Sequence, residues 1–156
     1  MRRTDREVLD EKKILQIIEA CDCCRLGLCD GEAPYVVPLN FAHCMEGGKH
    51  IFYFHSAKAG RKIELIRKNK KAGFEMDTAH SVQSAVKACG YTFKYQSVIG
   101  QGDVDLVKTR DGKRKALQMI MGHYSGRSDW QFEDQMVDAV EIIRLEVSKL
   151  SCKENM

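Results

Sequence analysis

The stretch "HIFYFHSAKAGRKIELIRKN", His50 to Asn69, changes its period midway, and that change decides the fold class. Its opening "HIFYFHS" is rich in aromatics and reads as a strand. Gly60 interrupts, and "RKIELIRKN" then sets Ile63 and Ile66 three apart amid charges, the spacing of a short amphipathic helix.

Upstream, "EKKILQIIEACD" places Ile14, Ile17, Ile18 and Cys21 at helical spacing, predicting a helix over Asp10 to Asp22. "CRLGLCD" alternates with Leu26 and Leu28 on one side, and Asp30-Gly31 supplies a turn. "PYVVPLNF" alternates again, and Pro38 marks an edge or a bulge because it cannot donate to a ladder. Downstream, "KAGFEMD" and "YQSVIGQGDVDLVK" read as strands, with Gly100 and Gly102 predicting a bend or bulge between them and their neighbours. "TAHSVQSAVKACGYTFK" reads as a loop with a turn of helix. "DGKRKALQMIMGHY" is a helix with Gly122 near its end, and "VEIIRLEVSKL" closes the chain as a β-branched strand. About six strands with short helices between them predict one α+β domain, a closed or partly split antiparallel barrel. No repeat, linker or low-complexity segment divides residues 1–156.

Composition narrows the function classes. With 44% hydrophobic and 30% charged residues, disorder is not expected. A net charge of +3 is too small to predict a nucleic-acid partner from bulk charge. No apolar run approaches the roughly 20 residues of a membrane span. The opening "MRRTDREVLDEKK" lacks the apolar stretch of a secretory signal, so a cytoplasmic location is expected. Seven cysteines, an odd number, then read as free thiols. Four of them crowd into "CDCCRLGLC", without repeated zinc-finger spacing, and are expected to be packing residues; no metal site is predicted.

The segment Phe54 to Lys71 carries seven basic residues against one acid, Glu64. A solvated helix face accounts for such a run equally well. The sharper reading is a phosphate seat. Ser56 ends a strand, Gly60 admits close backbone approach, and Arg61 and Lys62 open a helix whose N-terminus favours an anion. Arg can hold two phosphate oxygens at once. No Walker-type or GxGxxG loop exists to seat another phosphate, so a mononucleotide cofactor or a phosphorylated substrate fits.

Taken together, "YVVPLNF", "FYFHSAKAGRKIELIRKN", "FEMD" and "YQSVIGQGDV" resemble the pyridoxamine 5'-phosphate oxidase-like superfamily of flavin-binding split barrels. "MRRTDREV", "CRLGL" and "HYSG" with a later Trp resemble its nitroimidazole-resistance branch, over Met1 to about Val147. The resemblance implies a six-stranded antiparallel split β-barrel with short flanking helices. It implies FMN as cofactor, with FAD open and haem less favoured. Val37, Pro38, Leu39 and Asn40 would lie beside the flavin ring, and His55, Ser56, Arg61 and Lys62 would hold its phosphate and ribityl chain. Gln96 or Ser97 would approach the cofactor from a later strand. Such proteins are usually homodimers with flavin at the interface, so His123, Tyr124 and Trp130 become candidates to complete a partner's site. The chain ends "LEVSKLSCKENM" without the basic Arg-x-His pattern of true pyridoxamine-phosphate oxidases, so oxidation of pyridoxine phosphate is not expected.

His55 is the candidate proton donor, because an imidazole beside the phosphate seat is suited to acid–base work. Its packing role, shaping the pocket through a hydrogen bond, is equally compatible with the pattern. His43, His50 and His80 read as surface residues near turns or in a loop. Ser56 has no Asp–His partner at an interpretable spacing, and no HExxH motif or carboxylate pair is present, so hydrolase chemistry is not indicated. Trp130 could stack on a flat ring, although packing is the commoner use of Trp. The resulting expectation is an FMN-dependent oxidoreductase that passes electrons from NAD(P)H or another donor to a small acceptor such as a nitroaromatic. The alternative is a non-catalytic flavin- or haem-binding protein.

Overall fold

The computed structural model describes residues 3–31 and 33–156. Its strands are β1 (Glu7–Val8), β2 (Cys24–Asp30), β3 (Ala33–Leu39), β4 (Phe41–Glu46), β5 (Lys49–Ala57), β6 (Lys71–Gln83), β7 (Thr92–Leu106) and β8 (Val140–Asn155). Its helices are α1 (Glu11–Ala20), α2 (Arg61–Lys68), α3 (Arg110–Ser125) and α4 (Asp134–Ala139). All pairings are antiparallel, in the order β3-β2-β6-β7-β8-β5-β4, with β1 added to β8. The α+β class and the split-barrel architecture read from the sequence therefore hold, with eight strands in place of six.

The two ends of that order explain the shape. β3 and β4 are opposite edges of the sheet, yet only Asn40 separates them in the chain. A sheet whose far edges share one connecting residue must curl until those edges approach, and no β3–β4 pairing closes it. "PYVVPLNF", read as one strand, is thus two, split where the chain crosses the gap. β1 carries no sequence signal, because a two-residue pairing, Glu7 to Lys153 and Val8 to Cys152, has no period.

Turn chemistry sets the registers. Gly31 (φ 63°) serves the β2–β3 turn, and Gly47 and Gly48 (φ 57° and 78°) give the paired positive angles of a two-residue β4–β5 hairpin. Pro38 sits on edge strand β3, where its missing N–H costs the sheet nothing. The bulge expected near Gly100 and Gly102 is a register shift of β7 against β8 between Gln101 and Gly102. A Cβ on Gly102 would stand 2.0 Å from the Glu146 carbonyl oxygen, so the strands close there only over glycine.

Inside the barrel, Phe41, Phe52 and Phe74 form an aromatic line, with successive centroids 5.8 and 5.0 Å apart. α1 adds Ile17 and Ile18 to this core, and α2 adds Ile63, Leu65 and Ile66. α1 is capped by Asp10, whose carboxylate accepts from Lys12 N, and it ends two residues before the expected Asp22. α3 continues past Gly122 to a left-handed Gly126 (φ 67°). The segment read as a loop is largely strand. β6 and β7 run on past a bulge at Thr78 to Ser81 as a hairpin arm, solvated on both faces and so lacking alternation. Among the described residues, no helix is long and apolar enough to cross a membrane.

Candidate functional site

Two elements carry most of the expected site residues: edge strand β3, and the passage from β5 through residues 58–60 into α2. Along β3, Val37 and Leu39 turn inward and pack against the core, whereas Val36, Pro38 and Asn40 are exposed. Among the described residues β3 pairs only with β2, so its other edge presents backbone amides and carbonyls that no described strand receives. Val36, 57% exposed on that edge strand, is an apolar surface that the described residues leave uncovered.

At the end of β5, alternation sends neighbours to opposite faces. Ser56 is buried, with its hydroxyl donating to the Ala57 carbonyl at 3.0 Å, and His55 is exposed. The imidazole of His55 has no hydrogen-bond partner among the described residues. Gly60 has φ 123°, a backbone angle that side-chain-bearing residues rarely adopt, although the space beside it is open. Its carbonyl accepts from Ile63 N at 3.0 Å and Glu64 N at 3.2 Å, and no side chain caps the helix. The start of α2 therefore offers uncapped amide N–H groups flanked by Lys58, Arg61 and Lys62.

Arg61 is not idle. Its Nε–H donates to Asp30 Oδ2 at 2.5 Å, and its guanidinium lies 5.1 Å over the Tyr35 ring, so α2 is tied to the β2–β3 hairpin. Lys62 is half-buried beside it. From Tyr35, Val37 and Leu39 lie about 7 and 13 Å farther along β3 at the usual strand rise, and Asn40 follows directly. The basic helix start thus meets edge strand β3 at Tyr35, on the face that carries Val37 and Leu39. Its amide and guanidinium donors suit a phosphate.

The remaining expected residues lie apart. Gln96 is buried and donates to Glu154 Oε2 at 2.9 Å; Ser97 follows it on the opposite face of β7, paired with Asp77. Asp77 also receives Arg25, which pairs with Pro38 across β2 and β3, so Ser97 is linked to the β3 surface and Gln96 faces away from Ser97. Trp130 sits beyond α3, donating to Ser125 Oγ at 2.9 Å, with the Arg127 guanidinium 4.6 Å over its ring. His123 and Tyr124 instead reach the Asn40 corner. The Phe41 amide donates to Tyr124 Oη at 3.1 Å, Tyr124 donates onward to the Asp22 carbonyl, and His123 lies 4.7 Å from the Phe41 ring.

Sequence reasoning missed one cluster. His43 and His50, read as surface residues, are half-buried and hydrogen-bonded, Nε2 to Nδ1, at 3.0 Å. Burial, then the nearby His50 and His123, push His43 down to about 4; burial lowers His50 as well. The signal lay in β4, which was not recognised: there His43 pairs with Phe52, and Met45 pairs with His50. A cavity of about 400 Å³ lies beside them, lined by Ile18, Glu19, Ala42, His43, Met119 and His123. Of the cysteines, Cys21, Cys24 and Cys152 are buried, as packing residues are. Burial pushes Cys21 up to about 12 and Cys152 up to about 11, keeping both as thiols.

A family model described as pyridoxamine 5'-phosphate oxidase matches residues 10–154. Among solved structures, a candidate 5-nitroimidazole antibiotic resistance protein from Bacteroides thetaiotaomicron aligns with TM-score 0.82 and 29% identity, over 95% of this chain and 86% of that one. The FAD and haem binding protein from Mycobacterium smegmatis aligns with TM-score 0.81 over 96% of this chain and 73% of that one; at 14% identity it shows the shared fold. An uncharacterised protein of Rhizobium meliloti is 29% identical over 69 residues, 44% of this chain. The match spans about two fifths (42%) of that relative's length.

Proposed function

The chain belongs to the pyridoxamine 5'-phosphate oxidase family, and from that premise we propose that it is an FMN-binding oxidoreductase acting on small nitroaromatic acceptors. The observation that carries the reading is the uncapped, glycine-led start of α2, basic at Lys58, Arg61 and Lys62 and in contact through Arg61 with Tyr35 of edge strand β3. The nitroaromatic acceptor is supported by the likeness to the nitroimidazole-resistance structure.

In this reading the amides at the start of α2, with Arg61 and Lys62, receive the cofactor phosphate. Ser56 holds the strand end through its bond to Ala57, fixing where Gly60 begins the helix. Val37 to Asn40 lie along the ring, with the free edge of β3 supplying hydrogen-bonding groups. Ser97 approaches from β7, and Gln96 stays buried against Glu154. The bound flavin supplies the hydride and electron transfer between NAD(P)H and the acceptor. His55 delivers a proton to an oxygen of the acceptor's nitro group, its exposed imidazole being free to reach a molecule outside the barrel. A second copy of the chain covers β3 and excludes water, bringing its own Trp130 toward the ring; the protein acts as a homodimer. Its thiols suit a reducing, cytoplasmic setting.

Anaerobic oxidation of NADPH by the FMN-loaded protein, followed with a nitroimidazole, nitrobenzoate and a quinone, tests this. Turnover per bound FMN is expected to fall at least tenfold in His55→Ala. Absence of turnover with every acceptor, FMN being bound, would leave a non-catalytic flavin carrier.

A second reading has an observation of its own. His43, His123 and Met119 line one cavity, and imidazole and thioether are the usual axial ligand types for haem. A Soret band in the purified protein, lost in His43→Ala or His123→Ala, would favour haem binding there.

A further inference from the structure

β6 and β7 extend past the body of the sheet as a hairpin arm. β2 pairs with β6 no farther than Glu75, and β8 pairs with β7 no farther than Tyr95. From Ser81 to Gln83 and from Thr92 to Lys94 the two strands pair with each other alone among the described strands. Val82 and Phe93, directly opposite each other, are exposed, as are Val86 and Tyr91 nearer the tip. Two strands without a third or a covering helix are marginal in water, so the posture of this arm depends on what grips its root.

The root is a bulge between Thr78 and Ser81. Within it Ala79 has φ 57°, and among the described residues it is the one non-glycine with a positive φ. The left-handed region crowds a Cβ against the following carbonyl, so the bend is strained and needs contacts to hold it. On its near side Thr78 Oγ1 donates to the Ala20 carbonyl at 3.1 Å, fixing β6 to the end of α1. On its far side the hold runs through His80. Its Nε2 lies 3.1 Å from Asp77 Oδ2, and its ring stacks on Phe93 with centroids 5.5 Å apart. The other oxygen of the same carboxylate, Asp77 Oδ1, accepts from Arg25 Nη1 at 2.7 Å, which ties the latch to β2.

The ionisable groups around this latch are Arg25 on β2, Glu75 and Asp77 on β6, Lys94 and Tyr95 on β7, Lys153 on β8, and Cys21 and Asp22 after α1. Between pH 8 and pH 6 carboxylates stay ionised, and ammonium, guanidinium and phenol groups stay protonated. The buried Cys21, pushed up to about 12, stays a thiol. Imidazole is the side chain that takes up a proton in that range.

We infer that the arm is a pH-set flap hinged at Ala79: a protonated His80 pairs with Asp77 and latches it, and loss of that proton loosens it. A charged imidazole is held by the carboxylate as an ion pair, whereas a neutral one keeps at most a hydrogen bond. One exposed ion pair is weak, and a strained bend at a single residue is an element that so small a change can move. The latch needs no cofactor. It adjoins the candidate site, because Asp77 pairs with Ser97.

Amide hydrogen exchange, followed residue by residue by NMR in the purified protein without added flavin, tests this. Each rate is divided into the intrinsic rate at the same pH, which gives a protection factor. Protection of the hydrogen-bonded amides over Ser81–Gln83 and Thr92–Lys94 is expected to rise about threefold from pH 8 to pH 6. The sheet body, read at Phe74–Met76 and Val98–Gly100, is expected to show no rise. His80→Phe keeps a ring to stack on Phe93 and cannot ionise, so its arm should be equally protected at both pH values. Asp77→Asn keeps the shape of the latch without its charge, and its arm should likewise not respond. A flat response in the wild-type arm, a rise shared by the sheet body, or a rise that persists in either variant overturns the inference.

Discussion

Arg61 at the start of α2 donates its Nε–H to Asp30 Oδ2 at the end of β2, 2.5 Å away. A second guanidinium nitrogen, Nη2, contacts the same carboxylate oxygen, leaving up to three of its five N–H donors to face outward. The pair therefore does two things: it anchors the helix to the β2–β3 hairpin, and it holds the guanidinium in one place over Tyr35. Exposed ion pairs contribute little to stability, typically about 0–1 kcal/mol, so the ordering matters more for a ligand than for the fold.

Replacing Arg61 with Ala is accordingly expected to weaken FMN binding about tenfold or more while shifting thermal unfolding only slightly. Arg61→Lys should recover part of the loss, because an ammonium keeps the charge and lacks the fork. Fluorescence titration of FMN into the three proteins measures this, and equal dissociation constants would remove Arg61 from the site.

Tyr124 joins three elements at the corner where the sheet's edges approach, accepting from Phe41 N and donating to the Asp22 carbonyl. Tyr124→Phe leaves the Phe41 amide without that partner and should cost about 1–2 kcal/mol. Because Phe41 follows Asn40 directly, FMN affinity should also drop several-fold; urea unfolding and flavin titration on the same variant separate the two effects.

His43 gives a pH dependence with a definite sign. Its folded-state pKa is depressed to about 4 against 6.5 for the free side chain. Between those values the unfolded chain binds the extra proton and the folded one does not, so stability is complete above about pH 6.5 and is lost as pH falls toward 4, by at most about 1.4 kcal/mol per pH unit. Urea midpoints from pH 7 to pH 4.5 should show this slope, reduced in His43→Phe; an unchanged slope in the variant would place the titration elsewhere.

At Gly102 a Cβ would meet the Glu146 carbonyl oxygen at 2.0 Å and Val147 Cα at 2.9 Å, contacts with backbone that cannot rotate away. Gly102→Ala is expected to lose at least about 2 kcal/mol. Gly27→Ala, whose nearest contact would be an ordinary 3.6 Å, should change stability far less. Calorimetric unfolding of the pair tests whether the β7–β8 bulge fixes the barrel's curvature.

The sequence was legible where one face of an element is buried and the other wet. The strands at Cys24, His50 and Val140, and the helix carrying Ile63 and Ile66, follow that rule. It failed where both faces are wet, as in the β6–β7 arm, and where pairing is two residues long, as in β1. It failed also at Asn40, because nothing local tells a continuing strand from one that crosses between sheet edges. The basic start of α2 was visible as a motif, whereas the engagement of Arg61 by Asp30 and the meeting of His43 with His50 depend on pairings made by the whole sheet.

The most direct measurement is the visible absorption spectrum of the protein as purified, followed by chromatography of the cofactor released on heating. A two-band flavin spectrum with FMN or FAD released, and renewed uptake of added FMN by the stripped protein, is the predicted result. A colourless protein that takes up neither FMN nor FAD would contradict the account, and Lys58, Arg61 and Lys62 would then be no more than the solvated start of a surface helix.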